Sequence, residues 1–208
     1  MARLSLLIAL LLSASCGTTY HEQKTTVIAI QPIGTVNLSE VAAVTTALDS
    51  ICGMRVIVLP AIKPPANAFI NIKTPRYRAD KLIAWLKQQL PDGADYIIGL
   101  TALDISTTKT DDWGRTLEPK SRYEDFGIFG LGYCPGKSCI VSTFRLGNKP
   151  DLMRSRLAKI AVHEVGHNLG LPHCKTRNCV MADAVERIST IDAESLSMCK
   201  ACRKRAGF

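Results

Sequence analysis

The stretch His163-Glu164-Val165-Gly166-His167-Asn168-Leu169-Gly170-Leu171-Pro172-His173 decides how this chain reads. His163 and His167 stand four residues apart, so on a helix their imidazoles share one face, one turn above the other. Both can then reach a single ion at roughly 2.0–2.1 Å. Glu164, next to the first histidine, need not bind the metal. Its carboxylate can take a proton from a water there, whose pKa zinc lowers from 15.7 to about 7. Gly170 supplies the left-handed conformation that ends a helix, and Pro172 prevents its resumption. The chain is thereby expected to double back and present His173 to the same ion. Three nitrogen ligands with one position left open is the pattern of a catalytic zinc, since structural sites are closed. A bare H-E-x-x-H is also compatible with surface histidines on an ordinary helix. Here, though, three of the four histidines fall in one extended pattern, and only His21 lies outside it.

Directly after His173 the cysteines begin: Cys174, Cys179, Cys199 and Cys202. The last two form C-x-x-C, a spacing common in zinc knuckles. Four thiolates at about 2.3 Å make a closed tetrahedral site that pins distant segments together. Disulfides are the competing reading in an exported protein, and four cysteines allow three pairings.

The run H-E-x-x-H-x-x-G-x-x-H-C-x-x-x-x-C-x-M, followed after 17 residues by C-x-x-C, resembles the archaemetzincin signature at every spacing. It covers about 40 residues, His163 to Cys202. Tyr96–Thr101 and Phe129–Gly132 resemble that family's core strands more loosely, and the first 24 residues have no counterpart in it. The resemblance implies a zinc-dependent peptidase with two zinc ions per chain. His163, His167 and His173 would bind the catalytic zinc and Glu164 would be the general base. Cys174, Cys179, Cys199 and Cys202 would hold the structural zinc, with Met181 as an apolar floor beneath the imidazoles. The implied fold is α/β, a compact single metzincin-like domain with a twisted mixed β-sheet, a helix bearing the ligands and a small zinc-stabilised C-terminal part. The strand near Phe129–Gly132 would be the edge that pairs with an extended peptide. The alternatives are a catalytically inactive zinc-stabilised peptide-binding module of the cell envelope, and hydrolysis of a non-peptide amide. An intact ligand set with Glu164 weighs against the inactive module, which has no need of an open coordination position.

Outward from this centre, strands are expected at Val27–Ile30, Arg55–Leu59, Tyr96–Leu103, Phe126–Tyr133 and Ile140–Leu146. Asn37-Leu38-Ser39-Glu40 reads as a capping box opening a helix through Val41, Val44 and Leu48. Further helices are expected over Ala79–Leu90, from about Asp151 to Leu169 with Pro150 near the start, and from about Ile188 to Met198. Ser106 to Asp125 reads as an irregular loop. Cys134 and Cys139 flank a Pro-Gly turn and could close a small disulfide, leaving Cys52 as a buried free thiol.

At the N-terminus, Arg3 precedes an apolar run from Leu4 to Leu12 and a small-residue exit before Cys16, which reads as an export signal. The run is too short to span a bilayer. It also resembles a bacterial lipoprotein signal, with Cys16 as the lipidated residue, although Ser13 stands where such signals usually carry leucine. The expected division is a leader over 1–15, a polar tether over 16–25 and a peptidase domain over 26–208. The implied location is the bacterial periplasm or cell envelope, with membrane attachment through Cys16. A peptide or protein substrate and a monomeric state are expected. An apolar content of 47% and a charged content of 21% exclude general disorder. The formal charge of +8 does not indicate nucleic acid, because no basic stripe with interleaved aromatics is present. Its densest run, Arg203-Lys204-Arg205, reads as a solvated tail.

Overall fold

The computed structural model describes residues 25–183 and 187–208. The leader, Cys16 and His21 lie outside them. Nine strands and six helices follow in the order β1 (Val27–Ile33), α1 (Leu38–Cys52), β2 (Arg55–Val58), β3 (Phe69–Asn71), β4 (Pro75–Arg78), α2 (Ala79–Gln88), β5 (Tyr96–Thr101), β6 (Ile105–Thr107), α3 (Lys120–Tyr123), β7 (Phe126–Ile128), β8 (Gly130–Gly132), β9 (Ser138–Ser142), α4 (Pro150–Asn168), α5 (Ile188–Ala193) and α6 (Lys200–Ala206). Among the described residues no helix is long and apolar enough to cross a membrane.

The strands form two mixed sheets where one was expected. The larger has the order β2-β1-β5-β9-β8, and its first four strands run parallel. Its centre is apolar on both faces, as a sheet covered by helices requires. Ile28, Ile30, Ile98 and Leu100 pack toward α1 and α4, while Ala29, Ile33, Ile97 and Ile140 pack toward α2. At one edge β8 runs antiparallel to β9, pairing Gly130 with Val141 and Gly132 with Cys139. A smaller sheet, β3-β4-β6-β7, continues beside it.

Local chemistry accounts for the element ends. At the start of α1 the Glu40 carboxylate accepts hydrogen bonds from the Asn37 backbone amide (3.2 Å) and side-chain nitrogen (3.0 Å). Gly53, at φ +60°, ends that helix in the left-handed region. Pro150 is the first residue of α4, where its missing N–H has no intrahelical partner to lose.

Five expectations need correction, among them the last-but-one helix, which ends at Ala193 rather than Met198 because Glu194 is extended. The stretch Phe126–Tyr133 is two strands in different sheets, divided at Phe129. The strand expected over Ile140–Leu146 runs over Ser138–Ser142, since beyond it Ser142 turns the chain by accepting the Phe144 amide. The supposed loop at 106–125 contains β6 and α3, whose three- and four-residue lengths are too short to show a period. Finally, the basic run is no tail: Arg203, Lys204 and Arg205 belong to α6, anchored by the buried Cys202.

Candidate metal centre

Helix α4 leaves the core sheet and delivers His163, Glu164 and His167 at its C-terminal end. The helix stops as its glycine dictates. Gly170, at φ +84°, donates its amide to the His167 carbonyl (2.8 Å), and the Leu171 amide reaches the Gly166 carbonyl (3.0 Å). This pair of bonds is a Schellman closure. It reverses the chain and brings His173 back to the two helical histidines. Their ring centroids lie 4.6 to 5.4 Å apart.

The donor chemistry of the triad fits a cation. The Nδ1 atom of His163 lies 2.8 Å from the Val180 carbonyl oxygen, and that of His167 lies 2.8 Å from the Leu171 carbonyl oxygen. A carbonyl can only accept, so each Nδ1 carries the proton and each Nε2 is left with a bare lone pair. Those two Nε2 atoms face one another at 3.0 Å. Two lone pairs at that distance repel unless a cation lies between them. Burial acts in the same sense. It pushes the His163 imidazole down to about 4 and lowers that of His167, so both stay neutral at physiological pH, the state a metal needs.

Glu164 is buried on the same helix, and desolvation pushes its carboxyl pKa up to about 8, offset in part by a hydrogen bond from the Gly132 amide. Strand β8 makes this possible by carrying glycine on the face it turns to α4. A Cβ at Gly130 would lie 2.9 Å from the Glu164 side chain, and one at Gly132 would lie 2.7 Å from the Glu164 carbonyl oxygen. Beneath the triad, Met181 is fully buried against the helix at Gly166, where a Cβ would come within 2.3 Å of its Sδ. Gly130, Gly132 and Gly166 escaped the sequence reading. The glycines at alternate positions of Phe129–Gly132 were the available signal. Beside the triad lies a cavity of ≈ 70 Å³ with mainly apolar walls, including Ile128, Phe129, Ile160, Val180 and Ile191.

A second donor set lies just beyond His173. The sulfurs of Cys174, Cys179, Cys199 and Cys202 all fall within 4.8 Å of one another, with Cys174–Cys199 and Cys179–Cys202 each at 3.8 Å. Four sulfurs about 2.3 Å from a common centre in a tetrahedron are separated by about 3.8 Å, so the set has the size of a zinc cage. Backbone amides of Thr176 and Cys199 point at the sulfurs of Cys174 and Cys179 (3.4 Å each). The Cys199 thiol is brought down to about 6, chiefly by the Cys202 amide. The cage is tied to the triad, because the Cys174 amide donates to the Met181 carbonyl (2.8 Å).

The small disulfide between Cys134 and Cys139 is not formed. Cys139 is fully buried on β9, its thiol held protonated by burial and by Glu164 nearby, while Cys134 is exposed on the turn. Cys52 is the buried free thiol expected.

The model of peptidase family M54 matches residues 41–206, nearly the whole described fold. The chain belongs to peptidase family M54. Archaemetzincin of Methanopyrus kandleri is 40% identical over 141 residues, 67% of this chain and 70% of that one. Archaemetzincin of Archaeoglobus fulgidus is 30% identical over 180 residues, 86% of this chain and 98% of that one. Superposition agrees. The crystal structure of the Archaeoglobus fulgidus protein covers 86% of this chain with a TM-score of 0.68 and 27% identity, and accounts for 99% of that chain. That of the Methanopyrus kandleri protein covers 89% of this chain and 96% of its own, with a TM-score of 0.72 at 25% identity. This M54 chain is therefore a zinc metallopeptidase with the archaemetzincin fold.

Proposed function

We propose that Glu164 is the general base of peptide hydrolysis and that this M54 chain uses two zinc ions, one at His163, His167 and His173 and one at the four cysteines. The observation that carries the first part is the pair of bare Nε2 lone pairs at 3.0 Å beside a buried carboxylate. Zinc held there supplies Lewis-acid polarisation of the scissile carbonyl and acidifies the attacking water. The chain's own groups do the rest. Glu164, oriented by the Gly132 amide, takes the water proton and later passes it to the departing amine. Among the described residues no strand pairs with the outer edge of β8, so an extended substrate can add there as a further strand. The apolar cavity beside the triad suits an aliphatic side chain of the substrate next to the scissile bond.

The cysteine cage holds the Met181 turn and the segment after His173 in place, which keeps the third imidazole on the metal. The leader supports export and an anchor at Cys16. Incorporation of labelled fatty acid into the chain, abolished by Cys16→Ser, tests that point.

The decisive variant is Glu164→Gln, which keeps shape and removes the base. Hydrolysis of a quenched-fluorescence peptide library is expected to drop by at least about a thousandfold, with zinc content unchanged. Retained turnover at full zinc occupancy would remove Glu164 from this role.

A further inference from the structure

Helix α6 turns Cys202 into the core and leaves Lys200, Arg203, Lys204 and Arg205 exposed. Lys200, Arg203 and Lys204 share one side, one turn apart. Among the described residues no carboxylate forms an ion pair with any of the four. Six other cations of the fold, Arg76, Arg78, Arg115, Arg145, Arg154 and Arg156, do have acidic partners. Among the described residues the α6 charge is therefore not balanced by a paired carboxylate.

Its position adds a direction. A groove of ≈ 460 Å³ is lined on one side by Thr25 and Thr26, where the described chain begins, and on the other by Arg203 and Phe208. Exposed Arg55 lies at the same end, its amide bonded to the Thr26 carbonyl (2.9 Å). Thr25 stands nine positions after Cys16, with eight residues between them. Fully extended that span reaches roughly 30 Å, so an acyl group on Cys16 holds this end of the fold within that distance of a membrane.

We propose that α6 and Arg55 form a docking face for an anionic lipid surface. This rests on the export reading and is independent of the peptidase reading. Clustered Lys and Arg beside a membrane attachment point are attracted to acidic headgroups, a short-range effect that salt screens. One acyl chain alone gives marginal, reversible binding, and a basic patch is the second signal that makes attachment stable. The same contact would fix which way the peptidase cleft faces.

The test uses the full chain carrying Cys16→Ser, so that no acyl group contributes. It is sedimented with phosphatidylcholine vesicles with or without phosphatidylglycerol, at low and high salt. Phosphatidylcholine alone measures whatever the apolar leader contributes. Phosphatidylglycerol is expected to raise partitioning tenfold or more, a gain lost at high salt and lost when Lys200, Arg203, Lys204 and Arg205 are all changed to Gln. The pair Lys204→Gln and Arg205→Gln gives a partial loss should the fourfold variant not keep its zinc and helical signal. No phosphatidylglycerol gain, a gain that survives the substitutions, or tighter α6-dependent binding to RNA than to vesicles would overturn the proposal. Failed acylation of Cys16 would instead refute the anchor, and the vesicle result would be unaffected.

Discussion

At the scale of single residues, the site works by arranging which atoms cannot carry protons. The Val180 and Leu171 carbonyls fix the tautomers of His163 and His167, and burial keeps both rings neutral. This has a consequence for acid stability. With zinc chelated, unfolded His163 takes a proton near 6.5, whereas the folded site resists protonation down to about 4. The stabilisation is therefore fully present above pH 6.5 and is lost as pH falls toward 4. Its size is about 3 kcal/mol by linkage. Urea midpoints of the chelated protein are expected to fall steadily over that window, and a flat profile would show that His163 is not buried neutral. Bound zinc competes with protons for the same lone pair, so metal release follows the same direction.

At the scale of elements, a helix, a turn and an edge strand divide the work. The helix and its stop were legible in sequence, because a four-residue histidine spacing, a terminal glycine and a following proline act locally. The cysteine cage was legible as a spacing too, although only the 3.8 Å sulfur separations favour metal geometry over bonded pairs. What stayed hidden were contacts between elements distant in sequence. Gly166 looks like a weak helix residue until Met181 is seen beneath it. Alanine at a helix interior ordinarily gains about 1 kcal/mol over glycine. Here the new Cβ would fall 2.3 Å from Met181 Sδ, and overpacking of that kind costs about 1–3 kcal/mol. Gly166→Ala is thus expected to lower stability by up to about 2 kcal/mol net, read as a lower denaturant midpoint, and a rise would show that Met181 yields freely.

At the scale of the whole molecule, the smaller sheet is the part that sequence could not announce. Its four strands are three or four residues long, too short for alternation to stand out, and an ion-pair cluster joins the apolar packing of Ile105 and Ile128 in holding it. Asp104, nearly buried, accepts from Arg76 (2.8 Å) and from two nitrogens of Arg145 (2.7 Å each), while Arg76 also meets Asp125 (3.1 Å). These partners come from β4 and from the segments beside β6, β7 and β9, and no local pattern marks them as neighbours. Removing Asp104 strips Arg145 of its carboxylate partner and leaves Arg76 with Asp125 alone. Asp104→Ala is expected to cost about 3–5 kcal/mol in equilibrium unfolding, and a loss below about 1 kcal/mol would mean water already shares that cluster.

The two donor sets also differ in kind, one closed and one open, so they are expected to fill in order. Chelated protein titrated with zinc while peptide turnover is followed measures this most directly. Turnover should stay low through the first equivalent as the cysteine cage fills, then rise and level off at two zinc ions per chain. Turnover that is indifferent to zinc would contradict the metallopeptidase account, and saturation at one equivalent would contradict the cysteine cage as a second zinc site.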